Sequence, residues 1–265
     1  MKTMRLAILP WLWMASPVLL YADAPGDLVT DRPDYTESSQ VVPPGWVQIE
    51  SGLAFETSHS QNRHAISFGN PLLRVGLIRK LELRIGADGV MYQRAGEERS
   101  GGFSDMDFGV KYKFMEESRL RPAMSVIAAI STPVGHSSFS SGAYEPVIKL
   151  TWEKEMMGGF SAAGNFNWSA LSAEGGRLHQ GVASLSIGHA LGRGFDGFWE
   201  VYGYSAEERG GGSAYMFASG LIHGIGKNAQ WDVSVNRRMG AQGPDWVVSA
   251  GFVTRAPWSL RLHPR

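Results

Sequence analysis

Apolar and polar side chains alternate along most of the chain with a period of two. From 106 to 114, every second residue is Met, Phe, Val or Tyr, and the residues between them are Asp, Gly or Lys. The same alternation recurs at 47–56, 81–88, 148–153 and 230–236. Successive side chains of a β-strand point to opposite faces of a sheet, and this spacing fits a helix poorly. The pattern therefore predicts an all-β chain.

Twelve such segments can be delimited, and we expect each to form one strand. They span 45–56, 63–78, 80–90, 103–115, 121–132, 144–156, 158–169, 179–190, 196–206, 212–224, 228–238 and 246–255. Asn70 and Pro71 interrupt the second segment, which predicts a bulge or an edge there because proline cannot donate to a strand ladder. The tenth segment contains AYMFASGLI and alternates only weakly.

The connections between these segments alternate in length. The connections after even-numbered segments are short, at 79, 116–120, 157, 191–195 and 225–227. The connections after odd-numbered segments are longer, at 57–62, 91–102, 133–143, 170–178, 207–211 and 239–245. Short turns at one end and long loops at the other are typical of outer-membrane barrels. An even strand number then places both chain ends on the periplasmic side.

A soluble β-sandwich also alternates, so it is the competing interpretation of the pattern. Three features favour a membrane barrel: segments of about 9–11 residues or more, enough to cross a bilayer tilted; charges in the middle of the polar faces; and aromatic residues near segment ends. These aromatics are Phe55, Trp152, Trp168, Trp199, Trp231 and Trp246. We predict a closed antiparallel up-and-down transmembrane β-barrel of about twelve strands, because an open edge would leave backbone groups unpaired in lipid.

The N-terminal residues do not show the period-two alternation and have a different pattern. Lys2 and Arg5 precede an apolar stretch, 6–20, and small residues follow at Ala22 and Ala24. This order is typical of a cleaved secretory signal peptide. We therefore expect a signal peptide at 1–22, a periplasmic or plug segment at 23–44, the barrel at 45–255 and a tail at 256–265, with the mature protein in the bacterial outer membrane.

Composition excludes several classes of function. The 25 basic and 25 acidic residues give a formal net charge of zero, which argues against nucleic-acid binding because phosphates require surplus positive charge. The chain has no cysteine, so thiolate metal sites and cysteine nucleophiles are excluded. The seven histidines show no HExxH or HxH spacing. We expect no metal, no cofactor and no enzymatic activity.

Several stretches resemble one family of bacterial outer-membrane proteins. They are TDRPDYTESSQVVPPGWVQIESG at 30–52, LELRIGADG at 81–89, GFSDMDFGVKYKF at 102–114 and PAMSVIAAISTPVG at 122–135. Together they resemble a family described as transporters, or as proteins of the phenol meta-cleavage degradation pathway. The resemblance implies a twelve-stranded outer-membrane barrel that passes small, aromatic compounds.

The polar faces of the predicted strands would line the lumen of such a barrel. The charged members of this set are Glu50, Glu82, Arg84, Asp105, Asp107, Lys111, Lys113, Lys149, Glu153, Glu200 and Asp232. One interpretation is a selectivity lining, since charged rings determine what passes a pore. The other is a mutually satisfied ion-pair network that holds the barrel together and blocks flow, because buried charges need partners.

Four charged residues precede the first strand, namely Asp31, Arg32, Asp34 and Glu37. They could form a plug or constriction folded into the lumen, where Arg32 could pair with carboxylates in a bidentate manner. Alternatively, they could form a periplasmic turn held by local ion pairs around Pro33. The sequence leaves both arrangements open.

Passage of small molecules through the outer membrane, including hydrophobic or aromatic compounds, is the leading functional hypothesis. A sealed structural or ligand-binding barrel is the second, and an outer-membrane hydrolase is a minor third. Ser186 and His189 differ in parity along their strand, which disfavours the hydrolase. The expected partners are outer-membrane lipids, a small-molecule substrate and the barrel-assembly machinery.

Overall fold

The computed structural model describes residues 26–258, and it shows an all-β chain. The expected signal peptide at 1–22 and residues 259–265 of the expected tail lie outside the described residues. The strands are β1 (Trp46–Ser58), β2 (Arg63–Ile78), β3 (Leu81–Ala87), β4 (Gly89–Ala95), β5 (Glu98–Phe103), β6 (Met106–Met115), β7 (Ala123–Thr132), β8 (Glu145–Glu155), β9 (Phe160–Ala173), β10 (Gly176–Gly192), β11 (Phe195–Tyr204), β12 (Ala214–Ile225), β13 (Ala229–Arg238) and β14 (Trp246–Pro257). Within residues 26–258, no helix is long and apolar enough to cross a bilayer.

Each strand pairs antiparallel with its neighbours, and the sheet closes on itself. β1 pairs with β2 on one side and with β14 on the other, in a register that runs from Trp46↔Pro257 to Thr57↔Trp246. β3 and β4 are two halves of one wall strand, as are β5 and β6, because β3 pairs with β6 and β4 pairs with β5. The result is a closed barrel of 12 strands, which confirms the predicted fold.

The two faces of the wall carry opposite kinds of side chain. Along β1, Ile49 and Leu53 point outward and are exposed, whereas Gln48 and Glu50 point inward and are buried. Exposed Trp168 and Trp246 lie near one end of the barrel, and Trp231 lies near the other. Because the outward apolar side chains have no second sheet against them, the sandwich interpretation is wrong.

Three neighbouring strands of the wall are interrupted at about the same height. β2 has its bulge at Asn70, which adopts a φ of 35°, and its register with β1 shifts between Glu50 and Gly52. Asp88 separates β3 from β4, and Gly89 follows with a φ of 84°. Ser104 and Asp105 separate β5 from β6, so the hairpin β4–β5 continues the wall beyond this line of interruptions.

The connections are less regular in length than the sequence predicts. The stretch 91–102, expected to be a loop, is mostly the hairpin β4–β5, and 170–178 is mostly strand. At the opposite end, the connection at 116–122 is longer than either of those two turns. These hairpins extend past the apolar belt, where both faces contact water and alternation is lost. We call the end with connections 133–144, 205–213 and 239–245 the loop end, and the other the turn end.

Two further differences concern the last third of the chain. β14 runs to Pro257 instead of ending by residue 255, and the Trp258 backbone N–H donates to the Gly45 carbonyl at 2.9 Å. In β12, the lumen-facing Met216 and Ala218 are apolar and buried. This strand alternates weakly because both of its faces are apolar.

Candidate functional site

Residues 26–44, which we call the N-terminal segment, lie inside the barrel. The segment starts at the turn end, where the Arg255 side chain donates to the Asp27 carbonyl at 3.1 Å. It returns to the turn end at Pro43, whose carbonyl accepts the Trp46 backbone N–H at 3.1 Å. We call residues 26–32 the rising limb, 33–36 the tip and 37–44 the returning limb. Ser39 in the returning limb is fully buried. The structure thus places this segment in the lumen and not in a periplasmic turn held by local pairs.

Glutamates of the wall hold the backbone of this segment. Irregular backbone inside a barrel has no strand partner, and its buried N–H groups need acceptors. The contacts are Asp31 N to Glu50 at 3.1 Å, Tyr35 N and Thr36 N to Glu200 at 2.8 and 2.7 Å, Ser39 N to Glu153 at 3.0 Å, and Val42 N to Glu82 at 2.7 Å. Four predicted lumen carboxylates therefore act as backbone acceptors along the segment.

Asp31 is the centre of a buried ion-pair cluster. Its carboxylate lies 2.6 Å from the Arg84 guanidinium and 3.1 Å from the Lys111 ammonium. Arg74 and Glu82 complete the cluster, with Arg74 Nε 2.9 Å from Glu82 and Arg84 Nη1 also 2.9 Å from Glu82. Charges removed from water require such compensation. The cluster fixes the rising limb of the segment against β2, β3 and β6.

Glu37 fixes the returning limb through two wall cations. Its carboxylate oxygens lie 2.9 Å from Arg84 and 3.1 Å from Lys149. Lys111 adds a hydrogen bond to the Ser38 carbonyl at 2.8 Å, and the Ser125 hydroxyl donates to the Ser39 carbonyl. Asp31 and Glu37 are thus both bound to the half of the wall formed by β1–β8.

Arg32 occupies a slot made by two glycines in the strands that close the barrel. Gly52 and Gly251 are paired in register across β1 and β14. A Cβ on Gly251 would lie 2.2 Å from Arg32 Nε, and a Cβ on Gly52 would lie 2.6 Å from Arg32 Nη2. The guanidinium pairs with Asp232 of β13 at 3.1 Å. Only residues without a side chain leave room for this ion pair.

Three residues of the predicted lumen set lie outside the ion-pair cluster around Asp31. Asp105 sits at the break between β5 and β6 and accepts the backbone N–H groups of Gly135 and Ser141 at 2.9 Å, so it holds the connection 133–144. Lys113 faces the lumen near the turn end, where it donates to Gln40 of the N-terminal segment at 2.7 Å and pairs with Glu116 at 2.6 Å. Asp107 is exposed. Strand parity predicted an inward direction for these residues, but not their height in the barrel.

Two cavities remain inside the barrel, one on each side of the tip of the N-terminal segment. The loop-end cavity has a volume of about 760 Å³, and Tyr35 is the residue of the segment that lines it. The turn-end cavity has a volume of about 340 Å³, and Arg32 and Asp34 line it. Because Asp34 and Tyr35 are consecutive, a single turn of backbone separates the two cavities.

The barrier between the cavities rests on β10 and β11. The Tyr35 ring stacks on the Tyr202 ring with centroids 4.4 Å apart and an interplanar angle of 9°. The Thr36 hydroxyl lies 2.7 Å from the Ser184 hydroxyl. Contacts of this kind are weaker than the buried ion pairs of the limbs, because none of them joins two charges.

Charge on the wall of the loop-end cavity is mainly negative. Glu56 is paired with Arg63 at 2.6 Å, while Asp88, Glu207 and Glu208 also line the cavity. Enclosure at the cavity wall raises the pKa of Glu207, and the neighbouring Glu56 carboxylate raises this pKa further. The cavity therefore attracts cations at neutral pH and loses part of that attraction on acidification.

Sequence reasoning missed two basic residues of the site. Arg74 was not recognised because the bulge at Asn70–Pro71 shifts the inward parity of β2. Arg255, whose side chain also donates to the Lys227 carbonyl at 2.9 Å, was assigned to the boundary of the strand. The proline in the second segment was the available signal for the first of these errors.

The side chains of His189 and His223 lie on the outer surface of the barrel and not in the lumen. His189 stacks on Phe160 with centroids 4.2 Å apart, and His223 lies 4.2 Å from Phe195, at the turn end. Among residues 26–258, no group of three or more His, Asp or Glu side chains is arranged to hold a metal ion. Ser186 is buried on the lumen side, on the face opposite His189.

Comparisons with solved structures find porins and channels. An outer-membrane channel of the COG4313 group from Pseudomonas putida F1 superposes with a TM-score of 0.62 at 12% identity, over 82% of this chain and 98% of that chain. The KdgM porin gives 0.52 at 11% identity over 78% and 98%, and the NanC porin gives 0.50 at 11% identity over the same shares. At such low identity these likenesses show a shared fold.

Sequence comparison identifies the family. No match was found among curated proteins. Residues 30–256, which include the lumen part of the N-terminal segment and nearly the whole barrel, match the family described as "Putative MetA-pathway of phenol degradation". The resemblance seen in the sequence is confirmed, and the chain belongs to this family.

Proposed function

We propose that this chain is an outer-membrane barrel through which small molecules pass. The observation that carries the proposal is the pair of lumen cavities, of about 760 and 340 Å³, that open on either side of one turn of the N-terminal segment. A barrel built only for stability would gain from filling this space, since close packing lowers free energy. The porin and channel fold of the neighbours also supports passage.

The competing proposal is a sealed barrel, and the ion-pair cluster around Asp31 favours it. Arg74, Glu82 and Lys111 are fully buried, so that side of the lumen is closed. The closed part lies against β1–β8, however, whereas both cavities reach β10, β11 and β12. Passage therefore requires rearrangement of the segment tip and not of the cluster.

The family description and the tyrosines of the loop-end cavity both bear on the class of solute that passes. The family description refers to phenol degradation, and the loop-end cavity offers the stacked rings of Tyr35 and Tyr202 together with Tyr204. Aromatic rings stack on flat apolar solutes. Small aromatic compounds are accordingly the proposed cargo.

The orientation follows from export. We propose that residues 1–22 are cleaved during secretion and that the barrel-assembly machinery inserts the barrel among outer-membrane lipids. The turn end would then face the periplasm and the loop end the outside. The expected result of N-terminal sequencing of the protein isolated from outer membranes is a mature chain that begins at residue 23.

Conductance and uptake measurements test the proposed passage. Purified full-length protein in a planar bilayer is expected to give small, discrete conductance steps, and liposomes that contain it are expected to take up phenol-sized solutes faster than empty liposomes. A folded barrel that gives neither signal would establish the sealed alternative. The matched control is heat-unfolded protein from the same preparation.

A further inference from the structure

The N-terminal segment is held by ion pairs along its two limbs and by hydrogen bonds and a ring stack at its tip. The rising limb is held by Asp31 in the charged cluster, and the returning limb by Glu37, which pairs with Arg84 and Lys149. Between these anchors lies the tip, residues 33–36. Its contacts with the wall include three hydrogen bonds that Glu200 accepts from Tyr35 and Thr36, the hydroxyl contact between Thr36 and Ser184, a hydrogen bond between Asp34 and Ser186, and the ring stack on Tyr202.

The wall beside the tip differs from the wall beside the limbs. Around the turn-end cavity it presents small side chains, among them Ser161, Ala163, Ser186 and Gly188, together with the ring of Phe198. Small side chains leave room for a solute, and a wall without buried cations offers the tip no ion pair to hold it. The two cavities thus lie along β10–β12 on either side of the tip.

We propose that solutes pass between the tip and strands β10–β12, and that the Tyr35–Tyr202 stack is the gate on this route. Opening moves residues 33–36 away from β10 and β11, while Asp31 and Glu37 stay paired. Opening therefore breaks the ring stack and the hydrogen bonds of the tip, including those that Glu200 accepts, and it leaves every buried ion pair of the limbs intact. This inference rests on the proposed function, since it assigns the route of that passage.

A reversible cross-link between tip and wall tests the route. The hydroxyl oxygens of Thr36 and Ser184 lie 2.7 Å apart, within reach of a disulfide after Thr36→Cys and Ser184→Cys. The chain has no cysteine of its own, so the new pair has no competitor. The control pair is Ser39→Cys with Ser125→Cys, which ties the returning limb to β7, where the Ser125 hydroxyl already contacts the Ser39 carbonyl.

Conductance is measured before and after reduction, with disulfide formation verified by mass spectrometry. The oxidised tip pair is expected to lower conductance by about tenfold or more, with recovery on reduction, because the gate cannot open. The oxidised control pair is expected to conduct like the wild type. A wild-type protein that conducts together with an oxidised tip pair that conducts equally would overturn the route alone. A wild-type protein that never conducts would overturn the proposed function as well.

Substitution of the wall tyrosine tests the gate itself. Tyr202→Ala removes the stack and is expected to raise the open fraction or the conductance severalfold, whereas Tyr202→Phe keeps the ring and is expected to conduct clearly less than Tyr202→Ala. Tyr215→Ala, on the outer face of β12, controls for loss of an aromatic residue from the barrel. Equal conductance of Tyr202→Ala and Tyr202→Phe would show that the stack does not gate.

Discussion

A buried carboxylate in this barrel serves the backbone of the N-terminal segment. Glu200 accepts two consecutive N–H groups, and Glu82 accepts one while it pairs with Arg74. Strand parity alone predicted that Glu50, Glu153 and Glu200 face inward. It could not predict their partners, because the contacting residues lie far apart in sequence and alternation carries no information about such pairs.

Removal of one cation from the central cluster should destabilise the protein. Arg84→Met leaves Asp31, Glu37 and Glu82 with one partner fewer inside the barrel, and loss of one member of a buried pair costs about 3–5 kcal/mol. Urea unfolding in detergent micelles measures the change. The control, Lys149→Met, removes a partly exposed cation and should cost about 1 kcal/mol or less. Equal losses of unfolding free energy in both variants would show that the cluster contributes no more to stability than a partly exposed ion pair.

Acidification should weaken cation selectivity before it affects the barrel. Because the pKa of Glu207 is raised by enclosure and by Glu56, its carboxylate takes up a proton at a pH above about 4.3, the ordinary glutamate value. Reversal potentials in a salt gradient should show a cation preference at pH 7 that declines through this range. Glu207→Gln should show a smaller preference at pH 7 and a flatter pH dependence. A preference unchanged by this substitution would place the selective charges elsewhere.

At the scale of strands, the sequence predicted the barrel-crossing parts well and the protruding parts poorly. Segments such as 106–114 alternate because one face meets an apolar surrounding and the other meets charge. The hairpin β4–β5 contains Arg94, Glu98 and Arg99 without alternation, so the pattern predicts a loop there. Above the apolar belt both faces meet water, so a strand there leaves no periodic signal.

The glycine slot links two strands to the N-terminal segment, and a methyl group there should loosen the segment. Gly251→Ala places a Cβ where Arg32 lies, so Arg32 must leave Asp232. Hydrogen exchange should accelerate in peptides from residues 26–40, while the barrel strands stay protected. Gly181→Ala is the matched control, because a Cβ at this strand glycine meets nothing within 4 Å. Unchanged exchange in Gly251→Ala would show that Arg32 does not hold the segment.

At the scale of the whole molecule, the outward apolar surface distinguishes a membrane barrel from a soluble one. Val233, Phe217 and Leu221 are all exposed on the outer face of β12 and β13. A soluble barrel would not leave so continuous a belt in water, because exposed apolar patches of this size cost free energy and promote association.

A charge in the middle of this belt should oppose membrane insertion. Val233→Arg is expected to destabilise the barrel folded into lipid vesicles by about 2–4 kcal/mol, since arginine at mid-depth must leave water. Val247→Arg, which faces the loop-end cavity, should fold nearly as well as the wild type. A Val233→Arg variant that folds into vesicles as readily as Val247→Arg would argue against the membrane-facing assignment of β13.

The seat of Arg32 also sets the order in which the molecule can be completed. Its walls are Gly52 from β1 and Gly251 from β14, and its counter-ion comes from β13. This seat does not exist until the last two strands have been added and the first has met the last. The first residues of the N-terminal segment are thus the last to reach their final position. During assembly, the chain must keep them close to the lumen until β14 pairs with β1.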